Sequence, residues 1–456
     1  MTDTGPASIS PSARPRPFAG APVDTDVVII GAGPAGCATA IALADAGFAV
    51  TIVEQRRLPR PKTCAGLLSP RAILHLGDLG IDASGLEGAH RVDIIDFVID
   101  DRHRQLEWPD HPDLVDHGVA VPRHSLDLMM VERARSLGVT VLEEHQAVGP
   151  IIERGLVVGA RIRSSDDTPA GIAAPRTTDP ISLDPTATRG EEIRARYSVI
   201  ADGANSRFGR ALGTHRDRTW PMATAVHAAW ASPHAISHAV EISFNLFHDD
   251  GHRLAGFGWV VPDGRDSIDI GVGLVSTTSG FRSVNTTHLL EDFVRSIASR
   301  WEIDPTAPVR PPMSGRVPMG GSVRPISGPT SLVVGDAAGA ANPISGSGID
   351  TALVTGTVAG EVLIDALSGD DPTALQRYWR LIDDRNAALY KVGRLLDRFA
   401  GRPSVFERVA ASVVRSQWAA ETVVRMGTDS LRDRRGGRPE QAYRLLRALS
   451  RLAPDA

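Results

Sequence analysis

Short apolar runs bounded by glycine, proline or charged residues punctuate this chain, and longer stretches with helical spacing lie between them. Asp26 to Ile30 is a compact apolar run of the kind a strand buried on both faces requires, and the alanine-rich stretch Cys37 to Ala46 behind it reads as a helix. Ala49 to Val53 is a second strand and ends at Glu54. Much further on, Thr330 to Val334 reads as a strand and Ile349 to Leu367 as a long helix, while Gly155 to Ile162 and Tyr197 to Ala201 are strand-like. Arg91 to Trp108 and Ala223 to Val275 instead alternate apolar and polar residues, the pattern of antiparallel strands with one wet face, such as a sheet that roofs a ligand. From Pro372 onward the pattern is helical. No internal repeat or heptad array interrupts it.

Two glycine-rich signatures sit at the strand ends. Gly31-Ala32-Gly33-Pro34-Ala35-Gly36 joins the first strand to the first helix, the context in which GxGxxG binds a dinucleotide. Gly31 permits the tight turn, Gly33 lets a pyrophosphate approach the backbone and Gly36 lets helix pack on strand. Glu54, at the end of the second strand, suits both hydroxyls of an unphosphorylated adenosine ribose. Gly335-Asp336 follows the Thr330 strand, where Asp336 suits a ribityl hydroxyl, and Gly346-Ser347-Gly348 precedes the long helix. The free N–H groups at that helix start would face the N1/O2 edge of an isoalloxazine and stabilise its anionic reduced form. Together the two signatures describe the two ends of one FAD.

Composition narrows the classes. The 456 residues, 42% hydrophobic with a formal charge of −5, allow two or three ordinary globular domains. Arginines are spread along the chain and aromatic residues are few, so no nucleic-acid partner is expected. Lys62 and Lys391 are the only lysines, read here as composition rather than chemistry. No stretch approaches ~20 uninterrupted apolar residues, the first twenty lack a signal-peptide core, and a cytoplasmic location is expected. Cys37 and Cys64 form neither a disulfide framework nor a metal site, and Cys37 is assigned to core. The histidines, among them His103, His111 and His117, are read as surface or loop residues without metal-ligand spacing, so no metal is expected.

Five further segments carry a family resemblance over Asp24 to about Leu446. Arg60-Pro61-Lys62-Thr63-Cys64-Ala65-Gly66 through Ala72, Val121-Pro122-Arg123 with Leu126-Asp127, Ala201-Asp202-Gly203-Ala204-Asn205-Ser206, Phe257-Gly258-Trp259-Val260-Val261-Pro262 followed by Gly271, and Val317-Pro318-Met319-Gly320-Gly321 occur in this order. In combination they resemble the geranylgeranyl reductase family of FAD-dependent oxidoreductases, particularly its bacterial menaquinone reductases. The resemblance implies a hydroxylase-type, Rossmann-like FAD domain (α/β), an antiparallel-sheet substrate domain (β) and a C-terminal helical region. It implies FAD contacts from Gly33, Ala35, Gly36, Glu54, Cys64, Ala65, Arg123, Ala147, Asp336, Gly348 and Ile349, beside Gly31 and Pro34 of the first signature. Arg123 would suit the phosphates or the adenine side. Phe257, Trp259, Val261 and Pro262 would face substrate, and Cys64 is the candidate catalytic residue, although a small buried thiol and a core tryptophan are the ordinary readings of Cys64 and Trp259. Ala65 replaces the family's glycine after the cysteine, Phe257 its tyrosine and Val261 its phenylalanine.

The expected organisation is a disordered tail over 1–23, an FAD-binding domain from 24–85, 117–215 and 324–372 with a disordered insertion at 164–192, a substrate domain from 86–116 and 216–323, and a helical region over 373–456. The resemblance implies reduction of a C=C bond in an isoprenoid chain, on a lipid or quinone substrate, with electrons from NAD(P)H or a ferredoxin-like carrier. A flavin monooxygenase or halogenase is the alternative on the same fold. A non-catalytic carrier would not need Glu54, Asp336 and the loop glycines, all of which are present. Arg432, Arg434, Arg435, Arg438, Arg444, Arg447 and Arg451, interleaved with leucines, suit either peripheral contact with anionic lipid or a solvated helical cap.

Overall fold

A computed structural model describes residues 24–164, 190–432 and 436–450. The expected N-terminal tail, most of the expected insertion, and Arg434, Arg435 and Arg451 lie outside the described residues.

The first sheet grows from the predicted strand, helix, strand unit. β1 (Thr25–Ile30), α1 (Pro34–Asp45) and β2 (Val50–Val53) are followed in the sheet by β8 (Thr140–Leu142), and the other side of β1 pairs in parallel with β11 (Glu191–Ile200). β19 (Ser331–Val333) adds a further parallel strand on β11, while β9 (His145–Glu153) and β10 (Leu156–Ser164) continue from the start of β11 as an antiparallel hairpin. Glu191 and Glu192, expected inside the insertion, are strand residues of β11. α1 begins at Pro34 rather than Cys37, because a proline at the first helical turn needs no N–H partner and fixes the helical φ.

α6 (Ile349–Gly369) lies against α1 so closely that a Cβ on Gly356 would stand 2.3 Å from the Ala35 carbonyl oxygen, and Thr39 Oγ1 donates to the Gly356 carbonyl at 2.9 Å. By length and composition α6 is the one helix among the described residues that could cross a membrane; its apolar window is 61% buried within the protein. α3 (Arg123–Ser136) packs on the other flank of α1, and the short strands β3 (Leu67–Leu68), β7 (Gly118–Ala120) and β4 (His90–Val92) join α2 (Pro70–Asp78) to it.

The alternating segments form the second large sheet, in the order β17 (Pro308–Pro318), β13 (Met222–Ala231), β16 (Ser267–Val275), β15 (Gly256–Pro262), β14 (Ala239–Ser243), β5 (Ile94–Ile99), β6 (Arg102–Glu107). It is antiparallel apart from β14 and β5, which pair in parallel across the chain's crossover between the two sheets. Its outer face packs on α5 (Thr286–Trp301), where Leu290, Phe293, Val294 and Ile297 are buried against Val226, Val260 and Val272. Each such side chain contributes roughly 1.5–3 kcal/mol, so α5 fixes which face of the sheet looks inward. α4 (Arg207–Ala211) and the small pair β12 (His215–Arg216) and β18 (Val323–Arg324) lie between the sheets.

The helical region is α7 (Gln376–Ala400), α8 (Pro403–Arg415), α9 (Gln417–Gly427) and α10 (Arg438–Ser450). α8 and α9 close the open end of the second sheet through Ala410, Val413, Val414 and Val424. Arg425, fully buried, ties them down by donating to Glu421 Oε1 at 2.9 Å, the Ser430 carbonyl at 3.1 Å and the Asp110 carbonyl at 2.9 Å.

Candidate active site

One cavity of about 1180 Å³ runs from the carboxyl ends of the parallel strands, beneath the inner face of the second sheet, to α7, α8 and α9. Small-molecule pockets are usually 300–1,000 Å³, so this space accommodates more than one ligand. It lies outside the strand ends, where open α/β sheets bind.

Gly31, Gly33, Pro34 and Ala35 line the cavity. Gly31 turns the chain at φ 110°, and nothing stands within 4 Å of the position a Cβ on Gly33 would take, leaving that backbone open to the cavity. Gly36 differs: its Cβ position is 2.1 Å from the Gly31 carbonyl oxygen, and the residue does not line the cavity. The packing of helix on strand expected of Gly36 is what this close approach requires. Glu54, also lining, accepts from the N–H groups of Ala32 and Arg56, each at 3.0 Å.

From Glu54 a ladder of buried charge leads along the cavity. Arg60 Nη2 is 3.2 Å from Glu54, Arg60 Nη1 is 2.8 Å from Asp127 Oδ2, and the other oxygen of Asp127 accepts from Arg123 at 2.8 and 3.2 Å. Burial opposes the charge of Arg60, but Glu54 and Asp127 more than offset it and hold the guanidinium above its ordinary pKa. Arg123 follows the same logic, with Asp127 and Cys64 as its partners. Arg123 thus stands between Asp127 and Cys64, with Asp336 near enough to feel its charge.

Lys62, dismissed on composition, lines the cavity opposite Asp336. Burial pulls the Lys62 ammonium down and pushes the Asp336 carboxyl up; each partly restores the other's charge. Ala147 and Ala65 also line this stretch, as does Asp202, whose Oδ1 is buried without a partner among the described residues. Cys64 Sγ takes part in a hydrogen bond with Arg123 and accepts from the Gly66 N–H at 3.4 Å, while Thr63 reaches the Ser314 carbonyl of β17 at 3.3 Å. Cys37 is fully buried, as expected. Gly348 and Ile349 bring the start of α6 to the cavity, and Asp350, one residue on, accepts from Ser69 Oγ at 2.8 Å. Burial pushes the Asp350 carboxyl up to about 6.

The roof is the inner face of the second sheet. Phe257, Trp259 and Val261 line the cavity; Pro262, the next residue in the alternation and the last of β15, does not. Apolar residues from β5, β14, α8 and α9, including Phe97, Phe244, Phe406, Val409 and Val413, extend the lining away from the charged end. Within this apolar roof Trp259 Nε1 donates to Asp269 Oδ1 at 3.0 Å, and Asp269 Oδ2 meets His227 Nδ1 at 2.7 Å. Sequence reading passed over His227 because a lone histidine in an alternating strand carries no spacing signal. Asp397 of α7 was missed likewise; it lines the far part of the cavity, and burial raises its carboxyl well above the usual range. The reading of the histidines as lacking metal spacing fails at His248 and His252, four residues apart, whose ligand atoms cluster with Asp250 within 4.8 Å.

The sheet order and the glycine turn, with Glu54 and Asp336 on one cavity, are those of a flavin-binding oxidoreductase of the hydroxylase-type fold. The family of FAD binding domains matches residues 24–380. A menaquinone reductase of Mycolicibacterium smegmatis is 32% identical over 365 residues, covering 78% of this chain and 81% of that one, and a digeranylgeranylglycerophospholipid reductase of Methanopyrus kandleri is 30% identical, covering 78% and 85%. A geranylgeranyl bacteriochlorophyll reductase-like structure from Thermoplasma acidophilum superposes with TM-score 0.70 at 20% identity, covering 92% of this chain and 99% of its own. A flavin-dependent brominase shares the fold at TM-score 0.66 and 18% identity, covering 94% and 98%. The chain belongs to the geranylgeranyl reductase family of FAD-dependent oxidoreductases. It is an enzyme whose cofactor is FAD. The open backbone at Gly33 fits an anionic pyrophosphate, and Glu54 and Asp336 on the same cavity fit the two sugar-like halves of that cofactor.

Proposed function

We propose that this enzyme saturates a carbon–carbon double bond in an isoprenoid chain, most directly the prenyl tail of menaquinone. When bound and reduced, FAD supplies the electron pair and hydrogen for that saturation. Gly31, Gly33, Pro34 and Ala35 would hold its pyrophosphate, Glu54 its adenosine ribose and Asp336 its ribityl chain, with Arg123, Cys64, Ala65 and Ala147 along its length. Gly348 and Ile349 would present the positive end of α6 to the ring.

The observation that carries the reading is the continuity of the charged end with the long apolar lining from Phe257 through Phe97 to Phe406 and Val413. Burial of an isoprenoid stabilises the complex by about 0.8 kcal/mol per methylene, and the same wall keeps water from the reacting carbons. At its outer end Phe399 and Val409 line the cavity yet are 51% and 45% exposed, and the same stretch of chain exposes Arg398, Arg402, Arg408 and Arg415 against one carboxylate, Glu407. An anionic membrane surface fits this apolar mouth and its basic rim, and would deliver the lipid directly. Electrons would come from NAD(P)H or a ferredoxin-like carrier.

The test is anaerobic mixing of the reduced holoenzyme with menaquinone whose head group is blocked as its dimethyl ether, so that only the tail can react. Return of the flavin's visible absorbance under argon supports prenyl reduction. Absorbance that returns only when oxygen is admitted favours the monooxygenase or halogenase alternative, for which the brominase likeness gives the fold.

A further inference from the structure

Reduction of an isolated alkene needs a proton on the second carbon, and the roof of the cavity holds one acid arranged to give it. His227 is 4% exposed, and its ring lines the cavity. Asp269 accepts only, so His227 Nδ1 must be the donor in their 2.7 Å bond. The second oxygen of Asp269 is engaged by Trp259 Nε1 at 3.0 Å, which fixes the carboxylate and through it the ring. Nε2 is buried and has no partner among the described residues. A buried imidazole nitrogen without a partner is costly to maintain, and such a group calls for a role beyond stability.

Register places this atom over the part of the cavity reached by the cysteine loop. On β13, Ala225 pairs with Gly315 and His227 with Met313; Thr63 packs against Gly315, 3.2 Å from where its Cβ would be. Two residues along a strand is about 6.6 Å. Cys64 is the less suitable acid, because its sulfur is already engaged with Arg123 and the Gly66 N–H.

Resting on the prenyl reductase reading, we propose that His227 is the proton donor of the reaction, with Asp269 and Trp259 as its positioning residues. In the step the alkene π bond breaks. One carbon gains hydrogen with its electron pair from the reduced cofactor, and the other forms a C–H bond to the Nε2 proton of the doubly protonated His227 ring, leaving neutral imidazole whose remaining proton, on Nδ1, stays hydrogen-bonded to Asp269. NAD(P)H or a ferredoxin-like carrier restores the two electrons, and solvent restores the proton.

The experiment uses the full-length holoenzyme and two variants. His227→Asn keeps a donor for Asp269 but has no Nε2 proton; His227→Ala opens a space for imidazole. FAD content and visible spectrum establish folding, and quenching of tryptophan fluorescence by menaquinone establishes binding independently of turnover. The expected result is menaquinone affinity within twofold of wild type, a single-turnover rate lower by roughly 10²–10⁴ in both variants, and at least tenfold recovery of His227→Ala with added imidazole. A His227→Asn rate within threefold of a wild type that adds two hydrogens overturns this role while leaving the prenyl reductase reading in place. Loss of menaquinone binding along with rate assigns His227 to recognition and overturns the role as well. A wild type that adds no hydrogen to the tail overturns the reading and the role together.

Discussion

Arg60 Nη1 lies 2.8 Å from Asp127 Oδ2, with the two side chains 9% and 0% exposed. Asp127 also carries Arg123, so one carboxylate compensates two buried guanidinium groups. Asp127→Asn leaves Arg123 without its carboxylate and Arg60 with Glu54 alone, and is expected to cost about 3–5 kcal/mol. The shift in urea midpoint of the FAD-free protein measures it; a change below about 1 kcal/mol would mean the ladder is solvated and structurally unimportant.

Gly33 and Gly36 separate cofactor binding from folding. Gly33→Val adds atoms only to open cavity space, so the protein should fold with nearly unchanged melting temperature and retain little or no FAD. Gly36→Val forces a side chain into the Gly31 carbonyl and is expected to impair folding whether or not FAD is present. Thermal melts with and without added FAD distinguish the two; equal FAD content in Gly33→Val and wild type would place the pyrophosphate elsewhere.

Asp350 makes stability depend on pH. Its carboxyl is raised to about 6 in the folded protein from an ordinary 3.8, chiefly by burial. The folded state therefore holds the proton that the unfolded chain has released between those values. The Asp350 contribution is full below about 3.8, declines as pH rises and is lost above about 6, a change on the order of 1–3 kcal/mol. The difference in melting temperature between wild type and Asp350→Asn, followed from pH 4 to pH 7, should change in that window. A constant difference would mean Asp350 is charged in the fold at acid pH.

Ala410 stands buried in the apolar wall beside Val413. Ala410→Phe shortens the lining by roughly the space of two methylenes, worth about 0.8 kcal/mol each. Catalytic efficiency, kcat/KM, toward long prenyl chains should fall about tenfold, with short chains little affected. Equal losses for both lengths would argue that the tail takes another route.

The glycine turn, Glu54 and Asp336 were legible in the sequence because their chemistry is local: strand, turn and helix adjoin in the chain. Which way Gly36 and Pro262 face was not legible, since a motif position says which residue is needed but not its orientation. Gly36 faces β1 because the helix must sit on the strand, and Pro262 falls on the other side of the pleat from Val261. Lys62 and His227 were invisible for a different reason. Lys62 matters because Asp336, far along the chain, is folded opposite it, and His227 because β13 and β16 align it with Asp269. The parallel step between β14 and β5 was equally unreadable, being a property of how two distant alternating segments meet.

The most direct measurement is the mass of the menaquinone tail after one anaerobic turnover with dithionite-reduced enzyme, taken on the tail fragment after the head group has been reoxidised. A tail heavier by two hydrogens is the expected result. An unchanged tail under argon, with oxygen or halogen incorporated only in air, would contradict prenyl reduction.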